Sequence, residues 1–175
     1  MGKAWILVGM MGAGKSSVGR HLSELSGREF RDTDLLLQNR FGRTISQIFQ
    51  LYGEATFRAH ETSVLQTLEP EPIVLATGGG IVMKPENWAE LRRLGITCFL
   101  NASASVLHER LEASKKKRPL LETENWEQKV TDLLDARMPL YMQADFTLNV
   151  DPDDIAETAR LAKIAFEEQE AISGA

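Results

Sequence analysis

Gly9-Met10-Met11-Gly12-Ala13-Gly14-Lys15-Ser16 fits the pattern G-x-x-x-x-G-K-[ST], the signature of a phosphate-binding P-loop. Its flanks meet the context that the motif needs. Ala4 to Val8 (AWILV) is a short apolar run that reads as a buried strand, and a helical pattern opens at Lys15 with Val18, Leu22 and Leu25 apolar. Glycines let the main chain turn tightly and bring its N–H groups close to phosphate oxygens. The helix start adds unpaired donors and the positive end of the helix dipole. Lys15 supplies a mobile positive charge for the β- and γ-phosphates, and the Ser16 hydroxyl is a ligand for Mg²⁺.

Around this loop, 175 residues imply one domain, long enough to bury a full core. A formal charge of −5 argues against a general nucleic-acid binder, so any positive field must be local. Cys98 is the only cysteine and lies in the apolar run Ile96 to Leu100, which excludes an internal disulfide and reads as a buried, inert thiol. His21, His60 and His108 share no metal-ligand spacing. No signal-peptide pattern and no run of 18 apolar residues is present, so a cytoplasmic protein without a membrane partner is expected. Nothing in the chain proposes an interface, and a monomer is expected.

Strand-like and helix-like segments alternate throughout, which implies a parallel sheet with helices on both faces. Glu29 to Asp32 (EFRD) reads as a short strand, with Thr33-Asp34 at its carboxyl end. Ligands of open α/β sheets bind at that edge. The period-2 spacing of Asp32 and Asp34 would aim both to one side of an extended segment. A helix cap followed by a first-turn acid is the alternative. Leu35 to Phe41 reads as a helix ended by Gly42, and Thr44-x-x-Gln47 as a capping box ahead of another. A further helix carries Phe57, Glu61, Val64, Leu65 and Leu68 on one face. Arg58, taken alone, reads as a solvated surface charge on that helix.

Ile73 to Ala76 (IVLA) is a central buried strand followed at once by Thr77-Gly78-Gly79-Gly80. Consecutive glycines there read either as a flexible turn or as bare backbone closely approached by a ligand. Pro85 to Leu94 is a helix, Ile96 to Leu100 a strand, and Ser103 caps a helix with Leu107 and Leu111 on one face and Arg110 on another. Ser114 to Glu124 (SKKKRPLLETE) is either a solvated loop or a mobile lid that brings an arginine over phosphates. Asn125-x-x-Gln128 starts a helix with Arg137 near its end, where Pro139 is expected to kink or stop it. Phe146 to Val150 is the last strand. Asp151-Pro152 then opens a helix to about Glu170, whose glutamates Glu167, Glu168 and Glu170 read as a solvated end.

With these blocks assembled, the chain resembles the shikimate kinase family over roughly Ala4 to Phe166. The resemblance rests on GMMGAGKSSVG, on DTD at Asp32 to Asp34, on GEATFRAHE around Arg58, on TGGG at Thr77 to Gly80, on RPLL at Arg118 and on RMPLY at Arg137. It implies a P-loop NTPase-like three-layer α/β sandwich with a five-stranded parallel sheet of order 2-3-1-4-5. It also implies a substrate-binding helical part at about 33–61 and a lid at about 112–124, all within one domain.

The implied reaction is ATP-dependent phosphorylation of the 3-hydroxyl of shikimate, in aromatic amino-acid biosynthesis. By motif, Asp34, Arg58, Gly79, Gly80 and Arg137 correspond to shikimate ligands, with the arginines on its carboxylate. Gly12, Ala13, Gly14, Lys15, Ser16, Ser17, Arg110 and Arg118 correspond to the ATP site, Arg110 on adenine and Arg118 on the moving phosphoryl group. Lys15, Asp34 and Arg118 would be catalytic, and Ser16 and Asp32 would hold one Mg²⁺. The strand IVLA ends in Thr77 and not in the acid of a Walker B motif, so the metal assignment leans on Asp32. Rivals are another small-metabolite P-loop kinase, such as a gluconate kinase, or a nucleotide switch. The second lacks an N-K-x-D motif here.

Overall fold

The computed structural model describes residues 2–114, 121–150 and 154–173. Five strands form one parallel sheet: β1 (Ala4–Val8), β2 (Glu29–Asp32), β3 (Ile73–Ala76), β4 (Gly95–Asn101) and β5 (Phe146–Asn149), in the order β2-β3-β1-β4-β5. Strands β1 and β3 are buried at every residue, as uninterrupted apolar runs between two helical layers must be. Seven α-helices complete the described chain. These are α1 (Lys15–Ser26), α2 (Thr33–Phe41), α3 (Ile45–Thr67), α4 (Pro85–Leu94), α5 (Ala104–Ala113), α6 (Trp126–Tyr141) and α7 (Ile155–Ser173).

Right-handed crossovers dictate the layers. The step from β1 to β2 runs one way along the sheet, and the steps from β2 to β3, β3 to β4 and β4 to β5 run the other way. Helix α1 therefore lies on one face, where it packs against α7, and α4 lies on the other, against β4 and α3. The connections leave the adjacent strands β1 and β3 toward opposite faces. That topological switch point opens a crevice at the carboxyl edge, between the P-loop and Gly78–Gly80.

A small second core joins α2 to α3, from Leu37, Ile48, Phe57 and Val64. Helix α3 is broken at Gly53, which takes φ 78° and ψ 169°, so the two expected helices are two arms of one kinked rod. Its capping box at Thr44 and Gln47 is complete.

Several expectations change. Asp32 is the last strand residue and caps α2, while Asp34 is already helical. The period-2 argument for their common direction therefore fails. Helix α6 runs through Pro139 and ends at Tyr141, two residues later. Pro139 lacks an N–H and so removes one intrahelical bond, but it does not end the helix. Asn125 precedes α6 without a side-chain cap bond, and Gln128 turns instead to Asp132 at 2.8 Å. The expected cap at Asp151 lies outside the described residues. Asp154 Oδ1 accepts from the Glu157 amide at 2.8 Å, just before the described start of α7. Glu170 is not merely solvated, since it pairs with Arg28 at 2.8 Å.

Candidate active site

The P-loop links β1 to α1 through three glycines with positive φ, Gly9, Gly12 and Gly14, values that a side chain would strain. Gly14 stands directly before α1 in the left-handed region. Lys15 is buried, and its Nζ donates to the carbonyls of Gly9 at 2.7 Å and Met10 at 2.8 Å. Its own loop thus holds the ammonium. Arg110, on α5, reaches the same loop, donating from Nη1 to the Ala13 carbonyl at 2.9 Å.

Asp32 joins strand β2 to this loop. One carboxylate oxygen accepts from the Asp34 amide at 2.9 Å as the cap of α2, and the other accepts from the Ser16 hydroxyl at 2.7 Å. Cap and site are therefore the same residue, and neither reading of the Asp32-Thr33-Asp34 segment excludes the other. The paired hydroxyl and carboxylate are hard oxygen donors that suit Mg²⁺. Among the described residues, no three His, Cys, Asp or Glu side chains are grouped so that they could hold a metal ion by themselves. A cation here would take its remaining ligands from phosphate and water.

Beyond β3, Gly78 to Gly80 form the opposite wall. A methyl at Gly80 would overlap the Arg58 guanidinium. One at Gly78 would stand 2.9 Å from both Asp34 Oδ1 and Glu61 Oε1, and one at Gly79 would stand 3.1 Å from the Met11 nitrogen and 3.6 Å from Arg137 Nη1. Here the bareness of the backbone has a cause: two acids and two arginines close over it.

Arg58, expected on its own merits at the surface, is only 9% exposed. Its Nη1 donates to Glu61 Oε2 at 2.7 Å, and Nη2 lies 3.4 Å from Glu54. Arg137 is 3% exposed. Arg58 Nε, Arg137 Nε and Nη1, and Glu61 Oε1 are all buried without a hydrogen-bond partner. Burial pushes the Glu61 carboxyl up to about 7. The neighbouring Asp34 charge adds to this, and Arg58 and Arg137 oppose it.

These groups line a cleft of about 490 Å³ that runs from Gly12 and Lys15 to Arg58 and Arg137. Gly14, Ser16, Ser17, Asp32, Asp34, Gly79, Gly80 and Arg110 all line it. Ala13, within the loop, is buried. Arg118 falls outside the described residues, as does most of the basic part of the expected lid. Cys98 is buried in the core, and that burial pushes its thiol pKa up, so it stays a neutral thiol.

The "SKI: Shikimate kinase" family model matches residues 11–166. The chain belongs to the shikimate kinase family. It is 40% identical to the shikimate kinase of Thermodesulfovibrio yellowstonii over 156 residues, covering 87% of this chain and 90% of that one. It is 48% identical to the shikimate kinase of Acinetobacter baylyi over 136 residues, 77% of this chain and 75% of that one. The solved shikimate kinase from Acinetobacter baumannii in complex with shikimate superposes with a TM-score of 0.89 at 40% identity, over 96% of this chain and 95% of that one. As a shikimate kinase family member the chain is an ATP-dependent kinase of the shikimate pathway, which removes the gluconate-kinase and switch alternatives.

Three residues at the edge of this shikimate kinase cleft escaped assignment from sequence. Glu61 was visible as an acid on an otherwise apolar helical face. Thr33 sits inside the aspartate motif, where its own role is masked. Tyr141 lies one helical turn after Arg137, a relation visible only once α6 is known to continue through Pro139.

Proposed function

We propose that the enzyme transfers the terminal phosphoryl group of ATP to the 3-hydroxyl of shikimate, giving shikimate 3-phosphate and ADP, at the cleft between the P-loop and Gly78–Gly80. One observation carries this reading. Two buried guanidiniums, Arg58 and Arg137, keep N–H groups without partners in the same cleft as a P-loop. Leaving such donors unmet costs about 1–3 kcal/mol each, so the fold retains them for a ligand. A carboxylate matches paired guanidiniums, whereas a neutral sugar would leave their charge unanswered.

On this reading Lys15 leaves its carbonyl partners for the β- and γ-phosphates, and the amides of Gly12, Ala13, Gly14, Ser16 and Ser17 cradle the remaining phosphate oxygens. Ser16 and Asp32 hold one Mg²⁺, which when bound neutralises phosphate charge. Asp34 orients the acceptor hydroxyl and takes its proton. Arg110 packs on the adenine. Arg118, assigned by motif alone, faces the transferring group. The phosphoryl group passes in line to the hydroxyl oxygen while the ADP oxygen leaves, so positioning and charge neutralisation supply most of the rate. The helical part at 33–61 binds the acceptor, the segment at 112–124 closes over the nucleotide, and the working form is a cytoplasmic monomer.

Coupled ADP release over a panel of hydroxy-acids and sugars tests the reading. Turnover with shikimate at least 10²-fold above that with gluconate or with no acceptor is expected, the scale of a site built for one polar pattern. Equal rates with and without shikimate would remove it.

A further inference from the structure

The glycine loop after β3 has no side chains with which to hold itself in place. Its hydrogen bonds can be accounted for one by one. The Gly78 carbonyl accepts from the Ile81 amide at 3.2 Å, and the Gly80 carbonyl from the Met83 amide at 3.1 Å. Both are local bonds within the turn that follows. Among the described residues, two bonds tie the loop to distant parts of the chain, and both involve buried side chains. The Gly78 amide donates to Thr33 Oγ1 at 3.0 Å, and the Tyr141 hydroxyl donates to the Gly79 carbonyl at 2.6 Å. Among the described residues, the N–H groups of Gly79 and Gly80 make no hydrogen bond. They are the donors left over for the cleft that these glycines line.

The two anchors stand beside the acceptor groups. Thr33 directly precedes Asp34. Tyr141 lies one turn beyond Arg137 and is fixed in turn by stacking on Phe99, with centroids 4.9 Å apart. Burial pushes the Tyr141 phenol up to about 12, so at neutral pH it remains a donor. We infer that Thr33 and Tyr141 are positioning residues for the acceptor: they lock the Gly78–Gly80 backbone to the helices that carry Asp34 and Arg137. The two uncommitted amides and the two charged side chains then meet the same substrate in fixed register. The inference rests on the acceptor reading of this cleft. Neither residue needs to touch substrate.

The test measures KM for shikimate and for ATP separately in Tyr141→Phe, Thr33→Val and Thr33→Ser enzymes, beside Arg58→Ala. Tyr141→Phe keeps the ring on Phe99 and removes only the donor. Thr33→Val keeps the shape and removes only the acceptor. Both are expected to raise shikimate KM about tenfold, the scale of one lost buried hydrogen bond, while ATP KM stays within about twofold. Thr33→Ser is expected to restore the wild-type value. Unchanged kinetics with only a lower Tm would overturn the inference, and so would a parallel rise in both KM values. If Arg58→Ala leaves shikimate KM unchanged, the acceptor reading itself fails. If Arg58→Ala weakens shikimate and Tyr141→Phe does not, only the positioning role fails. Should Thr33→Val not fold by circular dichroism, Tyr141→Phe decides alone.

Discussion

The two edges of the sheet use arginine in opposite ways. At the amino edge, Arg28 precedes β2 and both terminal nitrogens of its guanidinium are engaged. It donates to the Lys3 carbonyl at 2.6 Å and to both Glu170 oxygens at 2.8 and 3.1 Å, and it lies 3.8 Å over the Trp5 ring. Trp5 in turn stacks on Phe166 at 5.1 Å. At the carboxyl edge, Arg58 and Arg137 are more deeply buried, yet three of their nitrogens have no partner. The first arrangement is closed: it ties α7 to the start of the sheet and leaves no buried Arg28 nitrogen without a partner. The second is incomplete, and burial makes incompleteness costly. A buried guanidinium therefore says little about function until its donors are counted.

The sharpest way to break this contrast is at Asp34, which shares the open edge. Asp34→Asn is expected to lower kcat by about 10²-fold or more, the range for losing a positioned base, with ATP affinity retained in a nucleotide-binding assay. Near-normal turnover would remove Asp34 from the chemistry. Next come the open arginines. Arg58→Ala and Arg137→Ala are each expected to weaken shikimate by about 10²-fold, the scale of a lost charge-assisted pair, with little effect on ATP. The closed Arg28→Ala should leave both constants alone and cost only about 1–2 kcal/mol, seen as a Tm lower by a few degrees. A kinetic defect in Arg28→Ala would erase the distinction between the edges.

The smallest effect concerns Glu61. Its folded carboxyl is pushed from 4.5 up to about 7, first by burial. The native state thus holds the proton more tightly than the unfolded chain does. The stability this contributes is complete below about pH 4.5 and is lost as pH rises through about 7. Glu61→Gln cannot lose a proton. Relative to wild type it should gain at least about 1 kcal/mol between pH 5 and pH 8 in denaturant titrations. Parallel curves would mean that Arg58 and Arg137 keep the carboxylate ionised at little cost.

Much of this molecule is legible in its residues. A P-loop motif states its own strand, turn and helix, because phosphate binding needs all three at fixed spacing. The apolar runs AWILV and IVLA declare central strands because both faces of a doubly covered sheet exclude polar side chains. The positions of Asp32, Gly80 and Arg137 along the chain suffice to place them at carboxyl ends of strands or near helix ends. Composition did mislead at Arg58, since an arginine on a helix is solvated more often than not. Spacing misled at Asp32 and Asp34, because the chain changes from strand to helix between them.

By itself, then, the order of residues determined the class of fold, the phosphate loop and the candidate ligands, all of which follow from short-range pattern and motif chemistry. Only the tertiary structure decided which charges are satisfied. Glu170 finds Arg28 across 142 positions, and Tyr141 finds Gly79 across 62. Burial and hydrogen-bond pairing are properties of the packed space between elements, and no local window of sequence contains them.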